Sequence, residues 1–284
     1  MKMDAFRSDT VKHQALLEQA HRFCAELLAH PVLSRYRDEI SIVLKGSTAH
    51  GYSDGYSDVD LVVFCHEAQL QAITDEYVQL GLSQRTDGVF LPLQDWAGHY
   101  NTDSYEKLAK ACTQGRAYHL WEYSGSKPLH DPQGRFAAIV QAGVAHFRQA
   151  LPTLIKASYL DCQLNLDWLR QPLRRADYGA AFLYTSSVYA AVCQTIFLLQ
   201  EKPYPCDKWL PYYFSQLDIA EPLKGKVQAL PQVFAQMQAA FSADLELMEY
   251  PVYREGLEIM EELKKMLKAQ YGSLPWIEEW YLYA

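Results

Sequence analysis

The sequence has few basic residues, and they form no long run. Its 284 residues include 26 Lys and Arg against 34 Asp and Glu, which gives a net charge of −8. Proteins that bind duplex nucleic acid usually follow its phosphate backbone with clustered basic side chains. The sequence therefore predicts that duplex nucleic acid is not a main partner.

Closely spaced cysteines are also missing. The six cysteines are never closer than 13 positions apart, so the chain has neither a CxxC redox pair nor the ligand spacing of a zinc knuckle. Such cysteines are typical of reduced thiols in a cytoplasmic protein. The opening stretch, MKMDAFRSDTVKHQALL, is charged throughout and lacks the apolar core of a secretory signal. We therefore expect a cytoplasmic protein.

One apolar segment has the length of a membrane span, GAAFLYTSSVYAAVCQTIFLLQ at residues 179 to 200. It is uncharged for long enough to cross a bilayer, but its Ser, Thr, Gln and Tyr residues lower its hydrophobicity. The chain has no second segment of this kind. We interpret it as the buried helix of a bundle and expect no membrane partner.

The pattern of apolar residues changes near the middle of the chain. Before residue 136, short apolar runs such as SIVLKGS, DVDLVVFC, VFLPLQDW and AYHLWEYSGSKPLHD read as strands and alternate with helix-like segments. Later segments have helical spacing, at residues 137–150, 152–171, 176–200, 232–249 and 253–271. The sequence predicts an α+β fold, with a small mixed β-sheet domain and flanking helices over 1–135 and an all-α helical bundle domain over 136–284.

Two aspartates stand one residue apart at the start of an apolar run, in KGSTAHGYSDGYSDVDLVVF at residues 45 to 64. Because side chains alternate along a strand, Asp58 and Asp60 project to one side while Val59 projects into the core. Neighbouring carboxylates repel each other unless a cation lies between them. Oxygen ligands at this spacing suit Mg²⁺, which accepts phosphate oxygens as further ligands. On spacing alone, an Asp-x-Asp is more often a solvated edge or a turn.

Gly46 and Ser47, upstream of the aspartates, supply what a phosphorylated substrate needs. Glycine lets the backbone turn and approach a ligand closely. The Ser47 hydroxyl and the amides that follow it can donate hydrogen bonds to phosphate oxygens. Together with the aspartates, these residues predict a phosphoryl-transfer site.

The order of apolar strand, Gly46-Ser47, loop, Ser57-Asp58-Val59-Asp60 and second apolar strand resembles the signature of the nucleotidyltransferase superfamily related to DNA polymerase β. It is most similar to that of small bacterial members with a helical C-terminal domain, such as aminoglycoside and lincosamide nucleotidyltransferases. The resemblance implies that residues 1–135 form a nucleotidyltransferase domain. It implies an enzyme of the EC 2.7.7 type.

The resemblance also implies a reaction and a role for each matched residue. Asp58 and Asp60 would hold one or two Mg²⁺ ions, and Gly46 and Ser47 would contact the triphosphate of the co-substrate. A hydroxyl of a small-molecule acceptor would attack the α-phosphorus of ATP or another NTP and expel pyrophosphate. The acidic balance of the chain favours a cationic acceptor, such as an aminoglycoside-like compound.

Two further parts of such a site are expected elsewhere in the chain. Members of the superfamily usually have a third carboxylate on a neighbouring strand, as metal ligand or general base. Alternation along DGVFLPLQDW makes Asp95 the first choice for this catalytic role, followed by Asp87 and by Glu122 in HLWEYS. The segment LLQEKPYPCDKWLPYY resembles one in two-domain relatives, and its Lys208, at the first turn of a helix, would neutralise phosphate charge.

Other interpretations stay open from the sequence. One is a nucleotide-binding regulatory or toxin-antitoxin type protein, which senses nucleotide or modifies a protein partner, and another is a scaffold without a ligand. His50 lies in the loop within reach of a phosphate, whereas His99, His119 and His130 have no partner evident from spacing and are expected to be structural. Both a monomer and a homodimer fit the sequence.

Overall fold

The computed structural model describes residues 9–94, 97–238, 241–242 and 244–284. The chain divides into two compact units, Met1–Phe147 and Arg148–Ala284. This division falls 12 residues after the predicted domain boundary, since the predicted first domain ends at residue 135 and the first unit at Phe147.

The first unit contains a five-stranded sheet and the helices that flank it. Its strands are β1 (Ser41–Lys45), β2 (Val59–Cys65), β3 (Phe90–Pro92), β4 (Gly98–Ser104) and β5 (Lys127–His130). Its helices are α1 (Thr10–Ala29), α2 (Gly46–Ala49), α3 (Glu67–Gln79), α4 (Tyr105–Gln114), α5 (Ala117–Gly125) and the first part of α6 (Arg135–Arg174). A 3₁₀ turn at Leu33–Tyr36 lies between α1 and β1.

The sheet is mixed, with the strand order β3-β4-β2-β1-β5. β2 pairs with β1 in antiparallel and with β4 in parallel orientation. β1 and β2 are buried along nearly their whole length, as expected for continuous apolar runs in the middle of a sheet. One hydrophobic core joins Leu16, Ala20 and Leu27 of α1 to Leu61 and Val63 of β2. The charged residues of these central strands are consequently confined to one end, at Lys45 and Asp60.

The second unit contains helices and no strand among its described residues. These are the rest of α6, α7 (Tyr178–Leu199), α8 (Leu210–Ser215), α9 (Glu221–Gln236), α10 (Pro251–Tyr271) and α11 (Pro275–Glu278), with 3₁₀ turns at Leu247–Glu249 and Trp280–Leu282. The predicted α+β class is confirmed, because a small mixed sheet with flanking helices precedes a long helical region.

α7 is the apolar segment that has the length of a membrane span. By length and composition it could cross a membrane, but 56% of an 18-residue window within it is buried inside the protein. Its Thr195 also has partners there, since the Thr195 hydroxyl lies 2.8 Å from the Ala191 carbonyl and 2.7 Å from the Ser158 hydroxyl. These are the features of a core helix in a folded unit.

Several predicted elements of the helical region have different bounds in the structure. The helices predicted at 137–150 and 152–171 are one helix, because Pro152 lies inside α6 without ending it. A proline removes one backbone hydrogen bond, and packing along the rest of a long helix can outweigh that loss. The helix predicted at 232–249 is wrong, since α9 ends at Gln236.

The first unit also departs from the predicted strands. AYHLWEYSG forms α5, and only the KPLH that follows it is a strand, β5. The segment GHYNTDS, which has no apolar run, forms β4. Its Tyr100, Thr102 and Ser104 are buried while the residues between them are partly exposed. Pairing with β2 and β3 therefore stabilises a strand that its amino-acid composition alone does not favour.

Gly98 is expected to be essential for the pairing of β4 with β2. Its φ is +138°, and a Cβ at this position would overlap the backbone of Val59. Gly98→Ala should therefore push β4 away from β2 and lower the free energy of unfolding by roughly 2 to 4 kcal/mol. Urea unfolding followed by circular dichroism measures this change.

Gly55→Ala is the matched control, since nothing lies within 4 Å of the methyl group that it adds. We expect its unfolding midpoint to stay close to that of the wild type. Equal midpoints for the two variants would contradict the close approach of β4 to β2.

Candidate metal centre

Among the residues that the structure describes, Asp58, Asp60 and His99 form a group that could hold a metal ion. One potential ligand atom from each side chain lies within 4.8 Å of those from the other two. All three residues are partly exposed. Ligand atoms about 2.1 Å from one ion lie at most about 4.2 Å apart, so a small closure would bring these three onto a single cation.

Strand register places His99 beside Asp60. The two residues are partners in the parallel pairing of β2 with β4, and partners in adjacent strands project to the same face of a sheet. The Nε2 atom of His99 lies 3.1 Å from Oδ1 of Asp60. Phe90 of β3 packs against the imidazole with 4.7 Å between ring centroids, which restricts rotation of the ring. Asp58 directly precedes the buried Val59, so it reaches the same face as Asp60.

Gly46 makes room for the Asp60 carboxylate. Its φ is +70°, and a Cβ at this position would lie 2.5 Å from Oδ2 of Asp60. The closeness follows from register, because Lys45, the residue before Gly46, is the partner of Asp60 in the pairing of β1 with β2. Any side chain at Gly46 would displace the carboxylate. The predicted contact of Gly46 with a triphosphate stays a prediction.

Ser47 lies in α2, and side-chain hydrogen bonds hold the segment from α2 to Asp58 together. The Ser47 hydroxyl donates to the Ser57 hydroxyl at 3.1 Å, and the Thr48 hydroxyl donates to the Asp58 carbonyl at 2.8 Å. Ser57 also donates to the carboxylate of Asp54 at 3.1 Å. These bonds connect the Gly-Ser end of the loop directly to the end that carries the aspartates. Ser47 stays partly exposed.

Three residues are predicted candidates for the third carboxylate of the site, Asp95, Asp87 and Glu122. Asp95, the first choice, lies outside the described residues. Asp87 is exposed and accepts two hydrogen bonds from the guanidinium of Arg85, at 3.0 and 2.9 Å. This interaction lowers the pKa of the Asp87 carboxyl. Neither observation assigns a third carboxylate to the centre.

Glu122 lies on helix α5 rather than on a strand. Its carboxylate lies 3.4 Å from the ammonium nitrogen of Lys45, and both side chains are mostly shielded from solvent. The residue beside Asp60 on the neighbouring strand is His99, for which the sequence predicted a structural role. The sequence signal that could have found it is the alternation along GHYNTDS of Tyr100, Thr102 and Ser104 with the more polar His99, Asn101 and Asp103.

His50 packs against α5. Its imidazole stacks on Trp121, with 4.0 Å between ring centroids and 11° between ring planes. Gly125 provides the space, because a Cβ at this position would overlap the His50 ring. Burial lowers the pKa of His50, although Glu122 partly opposes that effect. The imidazole is therefore a largely neutral packing group between the loop and α5.

Lys208 belongs to the second unit. It lies in the turn before α8, with its ammonium nitrogen 5.5 Å from the centre of the Trp209 ring, which is within cation–π distance. Its predicted role as a phosphate ligand stays a prediction.

No family model matches the chain, and no curated protein matches it. One solved structure to which the chain is similar is that of a nucleotidyltransferase-like protein from Exiguobacterium sibiricum 255-15. The two share 12% sequence identity with a TM-score of 0.45, over 90% of this chain and 77% of the other. A likeness at this level leaves the reaction to be argued from the site residues.

The chemistry of the three side chains fits a divalent cation. Two carboxylates bring negative charge and hard oxygen ligands, and the imidazole of His99 brings one nitrogen. Lys45 lies on the other side of Asp60 in the same row of strand partners. This arrangement concentrates charged groups at one end of the two apolar central strands, where a metal ion and an anionic ligand would both find partners.

Gly46→Ala is expected to weaken metal binding by disturbing Asp60. Displacement of the carboxylate should raise the dissociation constant for Mn²⁺ about tenfold or more, as is usual when the support of a metal ligand is changed. Titration calorimetry with Mn²⁺ in the absence of nucleotide measures the effect.

Gly51→Ala is a closely matched control for backbone strain. Gly51 has a φ of +78°, similar to that of Gly46, but nothing lies within 4 Å of an added Cβ. Both variants should lose about 1 kcal/mol of stability from the left-handed backbone, and only Gly46→Ala should lose metal affinity. Equal Mn²⁺ affinities in the two variants would refute the role of Gly46.

Proposed function

We propose that this protein is a metal-dependent nucleotidyltransferase, which moves a nucleoside monophosphate from an NTP to a hydroxyl group of a small-molecule acceptor. The observation that carries the proposal is the meeting of Asp58 and Asp60 with Gly46 at one end of the two central strands. The same residues form the sequence signature that resembles the superfamily. Agreement between a sequence pattern and a spatial cluster is stronger support than either observation alone.

In the proposed reaction, Asp58 and Asp60 hold the metal, which supplies a Lewis acid and neutralises phosphate charge when bound. The two carboxylates alone favour Mg²⁺. Ser47 turns its hydroxyl from Ser57 to an oxygen of the triphosphate. The acceptor oxygen forms a bond to the α-phosphorus, the bond to the β-phosphate oxygen breaks, and pyrophosphate leaves.

The proton of the acceptor hydroxyl passes to a carboxylate that acts as general base. Asp95 remains the first choice for this role. Glu122 is a weaker candidate because its ion pair with Lys45 would have to be broken, and the same argument applies to Asp87 and Arg85.

The proposed partners follow from the acidic composition and from the reaction. We propose ATP or another NTP as co-substrate and a cationic, aminoglycoside-like compound as acceptor, because a net charge of −8 attracts positive ligands. Duplex nucleic acid and membranes are not proposed as partners. We propose a cytoplasmic protein that acts as a monomer or a homodimer.

A second candidate function is nucleotide sensing or modification of a protein partner, as in a regulatory or toxin-antitoxin type protein. One observation favours the sensing form. The described carboxylates proposed as general bases each pair with a cation, Glu122 with Lys45 and Asp87 with Arg85. A site without an available base would bind nucleotide and transfer it slowly or not at all.

Asp60→Asn is expected to lower turnover by roughly 100-fold or more while the fold survives, because it removes one of the charges that hold the metal. Pyrophosphate release from each of the four common NTPs, with a panel of hydroxylated aminosugars, measures turnover. Asp75→Asn, an exposed change on α3, is the control and should keep wild-type rates. Normal turnover in Asp60→Asn would reject the proposed role of Asp60, and nucleotide binding without pyrophosphate release on any acceptor would favour the sensing function.

Ser47→Ala is expected to act on nucleotide binding more than on turnover. It removes one hydrogen-bond donor to the triphosphate, and a bond to a charged group contributes roughly 1.5 to 3 kcal/mol. The dissociation constant for ATP with the metal should therefore rise about tenfold or more, with a smaller change in kcat. Titration calorimetry and steady-state rates separate the two effects, and a change confined to kcat would contradict this role.

A further inference from the structure

The third donor of the candidate centre is a nitrogen atom on a strand. Nε2 of His99 points at Asp60, 3.1 Å from its Oδ1. The backbone of β4 fixes this position, because Asp60 and His99 are partners in the strand pairing and Gly98 allows β4 to approach Val59 closely. A ring nitrogen of His99 also lies within 4.8 Å of an oxygen of Asp58. Thus both aspartates and one imidazole nitrogen surround one small space.

The imidazole is also held in orientation. The ring of Phe90 lies against it at 4.7 Å, and Phe90 belongs to β3, the edge strand that pairs with β4. A ring held on one side by an aromatic neighbour and at its edge by a carboxylate has few rotamers that stay in contact with both. An ion at the centre would meet the lone pair of Nε2, with the proton of the neutral ring on Nδ1.

We propose that His99 is a metal ligand through Nε2 and that it makes the centre prefer Mn²⁺ to Mg²⁺. Mg²⁺ is a hard ion that takes oxygen ligands and keeps much of its water, whereas the softer Mn²⁺ accepts an imidazole nitrogen more readily than Mg²⁺ does. Replacing one oxygen donor by nitrogen therefore weakens Mg²⁺ binding more than Mn²⁺ binding. This inference deepens the proposed function because it concerns the metal of that site, but it does not require nucleotidyl transfer.

A different role for His99 makes a different prediction. If the imidazole only donates a hydrogen bond to Asp60, it positions the carboxylate and has no preference among ions. Its replacement would then change the affinities for Mn²⁺ and Mg²⁺ by the same factor. The ratio of the two affinities separates a ligand from a positioning residue.

The first test measures that ratio on the full chain without nucleotide. Protein freed of metal with a chelator is titrated with Mn²⁺, and Mg²⁺ affinity is obtained by competition. The wild type should bind Mn²⁺ about tenfold or more tightly than Mg²⁺, and His99→Asp should reduce this ratio about tenfold by restoring an all-oxygen site. His146→Asn, an exposed histidine of the same unit, should leave the ratio unchanged.

The second test detects the nitrogen ligand itself. Pulsed electron paramagnetic resonance of bound Mn²⁺ should show coupling to an imidazole ¹⁴N nucleus in the wild type and in His146→Asn. The coupling should be absent in His99→Asp, whose fold is checked by circular dichroism. If His99→Asp does not fold, His99→Asn replaces it, since its amide retains a hydrogen-bond donor for Asp60 and lacks the imidazole.

The outcomes distinguish this inference from the proposed function. Nitrogen coupling without pyrophosphate release on any acceptor supports His99 as a ligand and counts against the transferase. Pyrophosphate release that depends on Asp60, with bound Mn²⁺ but no nitrogen coupling, overturns the inference and leaves the transferase intact. An unchanged affinity ratio in His99→Asp also overturns it.

Discussion

The parallel pairing of β2 with β4 is the constraint on which the candidate centre depends. β2 carries Asp60 and β4 carries His99, and only their register makes the two side chains neighbours. A shift of one residue would turn His99 to the opposite face of the sheet, because side chains alternate along a strand. The apolar residues of β2, buried on both faces, resist such a shift. The packing of the core thereby fixes the positions of the polar groups at its edge.

Two glycines allow the backbone to approach this end of the sheet closely, and each does so for a different reason. Gly98 lies against the backbone of Val59, so a side chain at this position would prevent the close pairing of β4 with β2. Gly46 lies against the carboxylate of Asp60, so a side chain at this position would displace the candidate metal ligand. A glycine costs conformational entropy on folding, and at these positions the cost is offset by contacts that no other residue permits. The sequence pattern suggested only that Gly46 is important, since the partner of each glycine depends on the fold.

The sequence predicts the centre of the sheet well because β1 and β2 are apolar and buried along nearly their whole length. It also predicts that Asp58 and Asp60 share a face, since this follows from alternation alone. It did not predict β4, whose side chains are mostly polar and whose strand conformation depends on neighbours on both sides. Missing β4 meant missing His99. Likewise, AYHLWEYSG has aromatic residues typical of strands, but this segment is helix α5. Local composition could not settle either segment, because tertiary packing decided both.

The fold accommodates two neighbouring aspartates because of where it places other charges. Asp60 lies between Lys45 and His99 in one row of strand partners, so its carboxylate has a cationic neighbour on one side and an imidazole on the other. Lys45 in turn pairs with Glu122, which limits how much of its charge acts on Asp60. All three candidate ligands are partly exposed, and solvent screens what repulsion remains. The protein can therefore fold around this centre before a cation binds. Folding then does not depend on the free energy of metal binding.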